Sequence, residues 1–318
     1  MSTRTAQLRY HGTGGSLFGL FIVNGLLTMI TLGIYSFWAK TRLREFHYSH
    51  TELDGDRFAY HGTGGELLVG SLKAFGIIMV LVIGLVAVSA LLAPGSGGEG
   101  MQLVVSIGFY VVIMLLAILA VNGARRYRLS RSSWRGIRFS FHGQYGEFLG
   151  LMVRGTLLSV VTLGFWFPLF QNQRRRFLVE NARFGSEPFL YDGDGKALVP
   201  EFLKAVLLTI PTLGLYWCWY AAFKHRYFWE HTAMRGARFR STVQGGPLLA
   251  LTLTNLLLVI FTLGLGAAWA ITRAQAFWCD SISMYGTVDW ASIQQRAQDV
   301  SATAEGLADG FDIDVGIG

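Results

Sequence analysis

Apolar residues in this chain collect into runs: Leu17–Ala39, Leu67–Ala93, Met101–Val121, Phe148–Phe170, Phe202–Phe223 and Leu248–Ile271. Each is close to the ~20 residues that a bilayer-crossing helix needs and longer than a barrel strand, so the runs predict helices. Short polar and aromatic links separate them, of which His50–Tyr60, HTELDGDRFAY, holds the strand-like RFAY. Four runs are interrupted by the same tripeptide, at Thr31–Gly33, Thr162–Gly164, Thr212–Gly214 and Thr262–Gly264, and each is followed by Lys or Arg. The glycine allows a tight turn, so these tripeptides predict the tips of helical hairpins.

The links recur as well. Tyr10–Gly15, YHGTGG, returns as Tyr60–Gly65, and more loosely as Phe141–Gly146 and Tyr191–Gly195, while HTELDGDRFAY matches His231–Ser241, HTAMRGARFRS. Five units follow, starting near residues 10, 60, 141, 191 and 241. Every step is 50 residues except the second, which is 81 and carries an extra apolar run with the tip Ala93–Gly100. The expected fold is therefore an all-α integral membrane protein of about five degenerate helical-hairpin repeats with short extramembrane strand-like links. Residues 1–9 form an N-terminal tail, 10–288 the polytopic domain and 289–318 an acidic C-terminal tail.

The words NGLLTMITLGIYSFWAKTRLREFHYSHT and GDRFAYHGTGGELL resemble the YjgN-like family of bacterial inner-membrane proteins, with later echoes in NLLLVIFTLGLGAAWAITR and PTLGLYWCWYAAFKHRYFWEHT. The resemblance runs to about Tyr285. It implies a bacterial inner-membrane location and this architecture, and it assigns no reaction. The third unit departs from the pattern with TLGFWFPLFQNQRRR, and the fifth keeps a single Arg273 where others have clusters.

Composition agrees with a membrane setting: 52% of residues are hydrophobic and 15% charged, with a mean hydropathy of +0.41. The N-terminus MSTRTAQLRYHGTGG carries no short h-region with a small-residue cleavage site, and the first apolar run is followed by more Arg, so no cleaved signal is expected. Charge then selects the topology. As six simple spans the chain would split its Lys and Arg across both faces; as hairpins it keeps every tip free of them and gathers the second-arm cations on one side, with both termini cytoplasmic. The short hairpins place Arg42 only about 12 Å beyond Ile34, so they are either re-entrant or lined by water.

Candidate chemistry is sparse. HGTGG lacks the third glycine of a dinucleotide loop and the Lys-Ser/Thr of a P-loop, so it reads as punctuation between strand and helix. His47 and His50 lack a third ligand, so no metal is expected, and neither a cofactor nor a catalytic triad is indicated. Cys218 and Cys279 sit in apolar surroundings as inert thiols.

The sharper pattern lies eight residues before each tip threonine, where Arg154 and Lys204 fall in apolar arms and Lys73 occupies the matching place in the long unit. Asn24 and Asn255 follow that position in the other two units. Either these cations snorkel to headgroups, or they form a basic site for anionic lipid or an anionic solute. Arg42, Arg44, Arg174 and Arg273 on the second arms join them as candidate ligand or lipid contacts. Residues 289–318 hold six acids against one Arg, a net −5 that leaves +12 for the body from the total of +7. That tail suits disorder, self-docking or a membrane-protein partner. The cations abut apolar arms, so anionic headgroups and not nucleic acid are the expected counter-charge. The function expected first is a transporter or channel-like protein for a small anionic or amphipathic solute; the alternative is a non-catalytic scaffold binding anionic lipid and a partner.

Overall fold

The computed structural model describes residues 5–92, 99–286, 288, 290 and 293–295. Strand β1 (Thr5–Tyr10) leads into helices α1 (Gly14–Ile30) and α2 (Ser36–Ser49), and strands β2 (Thr51–Leu53) and β3 (Asp56–Tyr60) lead into the long pair α3 (Gly64–Leu92) and α4 (Glu99–Ser130). Strands β4 (Ser132–Trp134) and β5 (Ile137–Phe141) precede α5 (Tyr145–Val161) and α6 (Phe167–Glu180). Then come β6 (Ala182–Phe184), β7 (Glu187–Pro188), β8 (Leu190–Tyr191), a 3-10 turn, α7 (Val199–Leu208) and α8 (Trp217–Glu230). Strands β9 (Thr232–Met234) and β10 (Ala237–Ser241), helices α9 (Gly245–Phe261) and α10 (Ala267–Asp280), and β11 (Ile282–Tyr285) complete the order.

The helical hairpins fall where the apolar runs and tips predict them, but an all-α fold is wrong. The links build an antiparallel sheet of 11 strands in the order β7-β6-β5-β4-β3-β2-β1-β11-β10-β9-β8. Its edge strands β7 and β8 are separated in sequence by Phe189 alone, whose N–H bonds Ala182 O at 3.1 Å, so the sheet nearly closes on itself. The two ends of the described chain meet in it: Thr5 pairs with Tyr285, Ala6 with Met284 and Gln7 with Ser283. The segment expected as an N-terminal tail thus supplies β1.

Tight turns set the strand pairs. Asp54-Gly55, Arg135-Gly136 and Arg235-Gly236 all have φ positive at both residues, between 45° and 86°, the type I′ geometry that suits a two-residue hairpin. Alternation then sends one side chain in two to a common interior. Trp134, Phe184, Met234 and Ile293 are buried together there, with Phe58, Phe139, Phe239 and Trp290 packed on them. This ring of strands is filled, not hollow.

Around the helices, the second arm of one hairpin packs on the first arm of the next: α2 on α3, α4 on α5, α8 on α9, and α10 back on α1, while α6 meets the 3-10 turn and α7. Tryptophan on glycine makes three of these joints. An added Cβ at Gly14 would lie 2.2 Å from Trp269, and at Gly64 or Gly245 it would lie 2.5 Å from Trp38 or Trp219. Close packing therefore explains these tryptophans.

Only two helices among the described residues are long and apolar enough to cross a bilayer, in Gly64–Gly84 and Leu103–Ser130, both in the long hairpin. The remaining hairpins are short and keep their apolar tips exposed: Leu32, Leu163, Leu213 and Leu263 are 89–94% accessible. Residues 93–98 of the expected tip Ala93–Gly100 and most of the acidic tail lie outside the described residues, while Glu99 and Gly100 open α4.

A candidate anion site where helices meet strands

One hydrogen bond recurs at every junction. The residue after each strand end donates its N–H to the carbonyl that closes the second arm of the hairpin that strand leads into: His11 to His50, His61 to Arg131, His142 to Asn181, Asp192 to His231 and Thr242 to Ser281, at 2.7–3.2 Å. Six residues before those closing positions, about two turns back along the helix, stand Arg44, Arg125, Arg175, His225 and Gln275. Each of the first four rests on the buried strand-end residue of the next unit. Arg44 Nη1 donates to Tyr60 Oη at 3.3 Å, Arg125 lies over the Phe141 ring at 5.8 Å, Arg175 is the electrostatic neighbour of Tyr191, and His225 Nδ1 is 2.8 Å from Ser241 Oγ.

Positive charge concentrates here. The charges that reach Arg125 are those of Arg128, Arg174 and Arg175, together with the Tyr48 hydroxyl, and the Arg125 Nε is buried without a hydrogen-bond partner. Arg175 is buried, with its guanidinium 5.1 Å from the centre of the Trp229 ring and 5.6 Å from that of Phe228. Burial lowers its pKa to about 10. Burial lowers Lys224 too, helped by Arg174. His225 is pushed down to about 4, first by burial and then by Arg175, Lys224 and Arg226. Guanidiniums placed over aromatic rings are restricted in position, and their planar donor edges suit a phosphate or carboxylate.

A neighbouring set of arginines does something different. Arg126 and Arg176 donate to Gly143 O and Gly193 O at 2.7 and 3.1 Å, and Arg226 bonds Val243 O. These satisfy loop carbonyls and are structural.

The candidates from sequence divide between two surfaces. Lys73, Arg154 and Lys204 lie exposed on α3, α5 and α7, and among the described residues no hydrogen bond or ion pair joins one to another. Lys204 pairs instead with Glu201 at 2.6 Å, and Lys73 borders an open groove of about 640 Å³ with Ile77, Val80 and Leu81. Arg42, over the Tyr35 ring at 5.7 Å, and Arg273, 3.1 Å from Thr254 Oγ1, are exposed too. Asn24 and Asn255 turn inward: Asn255 donates to Ala270 O at 3.0 Å across its own hairpin, at the position that Ala74, Gly155 and Ala205 fill elsewhere. Arg174 belongs to the cationic cluster, and Arg44 stands in the same junction column, bonded to Tyr60 Oη.

Sequence reasoning missed Arg125, Arg175, Lys224 and His225. Counting back from the close of each second arm, in place of the tip, would have found the column that is Arg, Arg, Arg, His and Gln. His47 and His50 are each engaged locally, His47 Nδ1 with the Tyr10 hydroxyl at 2.8 Å and His50 Nδ1 with Phe46 O at 2.7 Å. Cys218 and Cys279 are unbridged.

Apolar hairpin tips left open on one side of a nearly closed, charged junction define a membrane protein. The sequence pattern described as "Bacterial protein of unknown function (DUF898)" matches residues 5–217 and 205–310, and the chain belongs to this family. Among curated proteins it is similar to "Inner membrane protein YjgN" of Salmonella typhimurium, 35% identical over 134 residues, and of Escherichia coli strain K12, 38% identical over 133 residues. Each match covers 42% of this chain and only 31% and 30% of the relatives' own length. These relatives bear out the resemblance drawn from the motifs and support an inner-membrane location. No solved structure matches.

Proposed function

We propose that this protein is a non-catalytic, multi-pass protein of the bacterial inner membrane that holds a small anionic amphiphile, such as a lipid headgroup or an amphipathic solute, at the junction of its helices and strands. The observation that carries the reading is the cluster of Arg125, Arg174, Arg175 and Lys224, whose charges bear on one another where apolar helices begin. An anion placed there relieves that repulsion, while its apolar part lies along the helices. Because the basic residues gather on the sheet side of the hairpins, the sheet and the described chain ends face the cytoplasm. Binding is favoured over passage along the axis because the strand ring is packed by Trp134, Phe184, Met234 and Ile293.

Native mass spectrometry of the protein from anionic bilayers tests this, with proteoliposome flux alongside. Arg125→Gln and Arg175→Gln should each remove most retained phosphatidylglycerol, whereas a triple Lys73→Gln, Arg154→Gln, Lys204→Gln variant should keep it. Retention by the first two and loss by the triple variant would move the site to the exposed first arms. Solute flux that survives both sets would favour transport by another route.

A further inference from the structure

We infer that the four Thr-Leu-Gly tips are insertion elements that lodge among the acyl chains of one leaflet, entering and leaving by the same face, while the long hairpin alone crosses. The inference rests on the membrane setting and is independent of the anion site.

The tips are built to do without water. In each, the leucine takes a left-handed conformation, with φ of 49–51°, which costs an L-residue about 1–2 kcal/mol and is ordinarily left to Gly or Asn. The following glycine N–H closes the helix on the carbonyl five residues back, Gly33 on Thr28 at 2.8 Å and Gly164 on Ser159 at 2.6 Å, with Gly214 and Gly264 alike. The threonine hydroxyl then serves both arms. It donates to the carbonyl four residues back, Leu27, Leu158, Leu208 or Leu258, at 2.5–2.7 Å. It accepts the N–H four residues on, from Tyr35, Trp166, Tyr216 or Gly266, at 2.7–3.3 Å. Helix ends in water leave such groups to solvent, whereas in hydrocarbon they must be met internally.

The side chains point the same way. The left-handed leucines are almost fully exposed, and Met29, Ile30, Val161, Leu207, Ile210 and Phe261 around them are 76–86% exposed. No Asp, Glu, Lys or Arg occurs in 16–39, 155–173, 205–223 or 255–272. Depth follows from length. From the tip threonine to the first cation of the second arm is 9 residues in the first hairpin, Thr31 to Lys40, and 12 in the third, Thr162 to Arg174. At 1.5 Å per residue that is about 14–18 Å, one leaflet of a ~30 Å core. Helices α3 and α4, with 29 and 32 residues, reach about 44 and 48 Å on the same rise and cross it.

Single cysteines replacing Leu32, Leu163, Leu213 and Leu263, in a Cys218→Ser, Cys279→Ser background, test the inference in nanodiscs of phosphatidylethanolamine and phosphatidylglycerol. Nitroxides on all four should be oxygen-accessible, shielded from aqueous nickel chelate and deepest near the bilayer centre, while Arg235→Cys in the sheet turn should be aqueous. In spheroplasts, impermeant maleimide should leave the tips unlabelled. Labelling from the periplasm would mean that the short hairpins cross, and aqueous exposure in nanodiscs would mean that they never insert; either result overturns the inference. Helical circular dichroism of each variant verifies the fold.

Discussion

His225 shows how much one residue at the junction is asked to do. Trp229 Nε1–H donates to its Nε2 at 3.1 Å, so the neutral ring carries its proton on Nδ1 and gives it to Ser241 Oγ at 2.8 Å. Protonating Nε2 would break the tryptophan bond and add a charge beside Arg175. The folded protein therefore keeps this histidine near a pKa of about 4, while the unfolded chain takes up the proton near the ordinary 6.5. Its contribution to stability is full above about pH 6.5 and is lost as pH falls from there toward 4. Thermal unfolding in detergent should occur at lower temperature at pH 5 than at pH 7, and His225→Gln should narrow that gap. The gap should not vanish, because half-buried His47 is shifted in the same direction. An unchanged gap in the variant would separate His225 from the acid response. At this scale the sequence was half legible. Counting from the tips singled out Lys73, Arg154 and Lys204, which face outward, and the next position along, which packs each hairpin through Ala74, Gly155, Ala205 and the two asparagines. The junction arginines were invisible to that count because their register is set at the other end of the helix, where the strand begins.

Among the elements, the hairpins were legible because apolar length and a glycine turn are local signals. The sheet was not. Strands of two to six residues carry too little alternation to stand out, and what stabilises them is pairing with strands from other units and a shared aromatic interior. The tip threonine is the element whose role can be isolated. Thr162→Val keeps the shape and removes both hydroxyl bonds, to Leu158 O and from Trp166 N–H. Stability should fall by about 1–3 kcal/mol, since the part-buried Trp166 N–H loses its partner, and Thr162→Ser should recover most of it. Equal melting of wild type and Thr162→Val in bilayers would show that water reaches the tip.

For the whole molecule, closure is the feature from which the rest follows. Pairing β1 with β11 brings the last hairpin beside the first, so α10 packs on α1. The junction cations of successive units are thereby held around a common interior. A chain with free ends would leave Ala6 and Met284, which share a buried cluster with Ala237, open to solvent. Nothing local in the sequence announces this contact, because its partners stand 276–280 residues apart and neither end carries a hairpin turn of its own. Disulfide formation between Gln7→Cys and Ser283→Cys, in a background lacking Cys218 and Cys279, tests closure most directly. The two residues are direct antiparallel partners, within the ~7 Å that a disulfide can bridge. Gln7→Cys paired with Ser133→Cys, three strands away in the sheet and so about 14 Å off, serves as the control. The account predicts rapid, near-complete bridging of the first pair in membranes and little of the second, read by intact mass. Absence of the first bridge, or equal bridging of both pairs, would contradict a ring closed by its own ends.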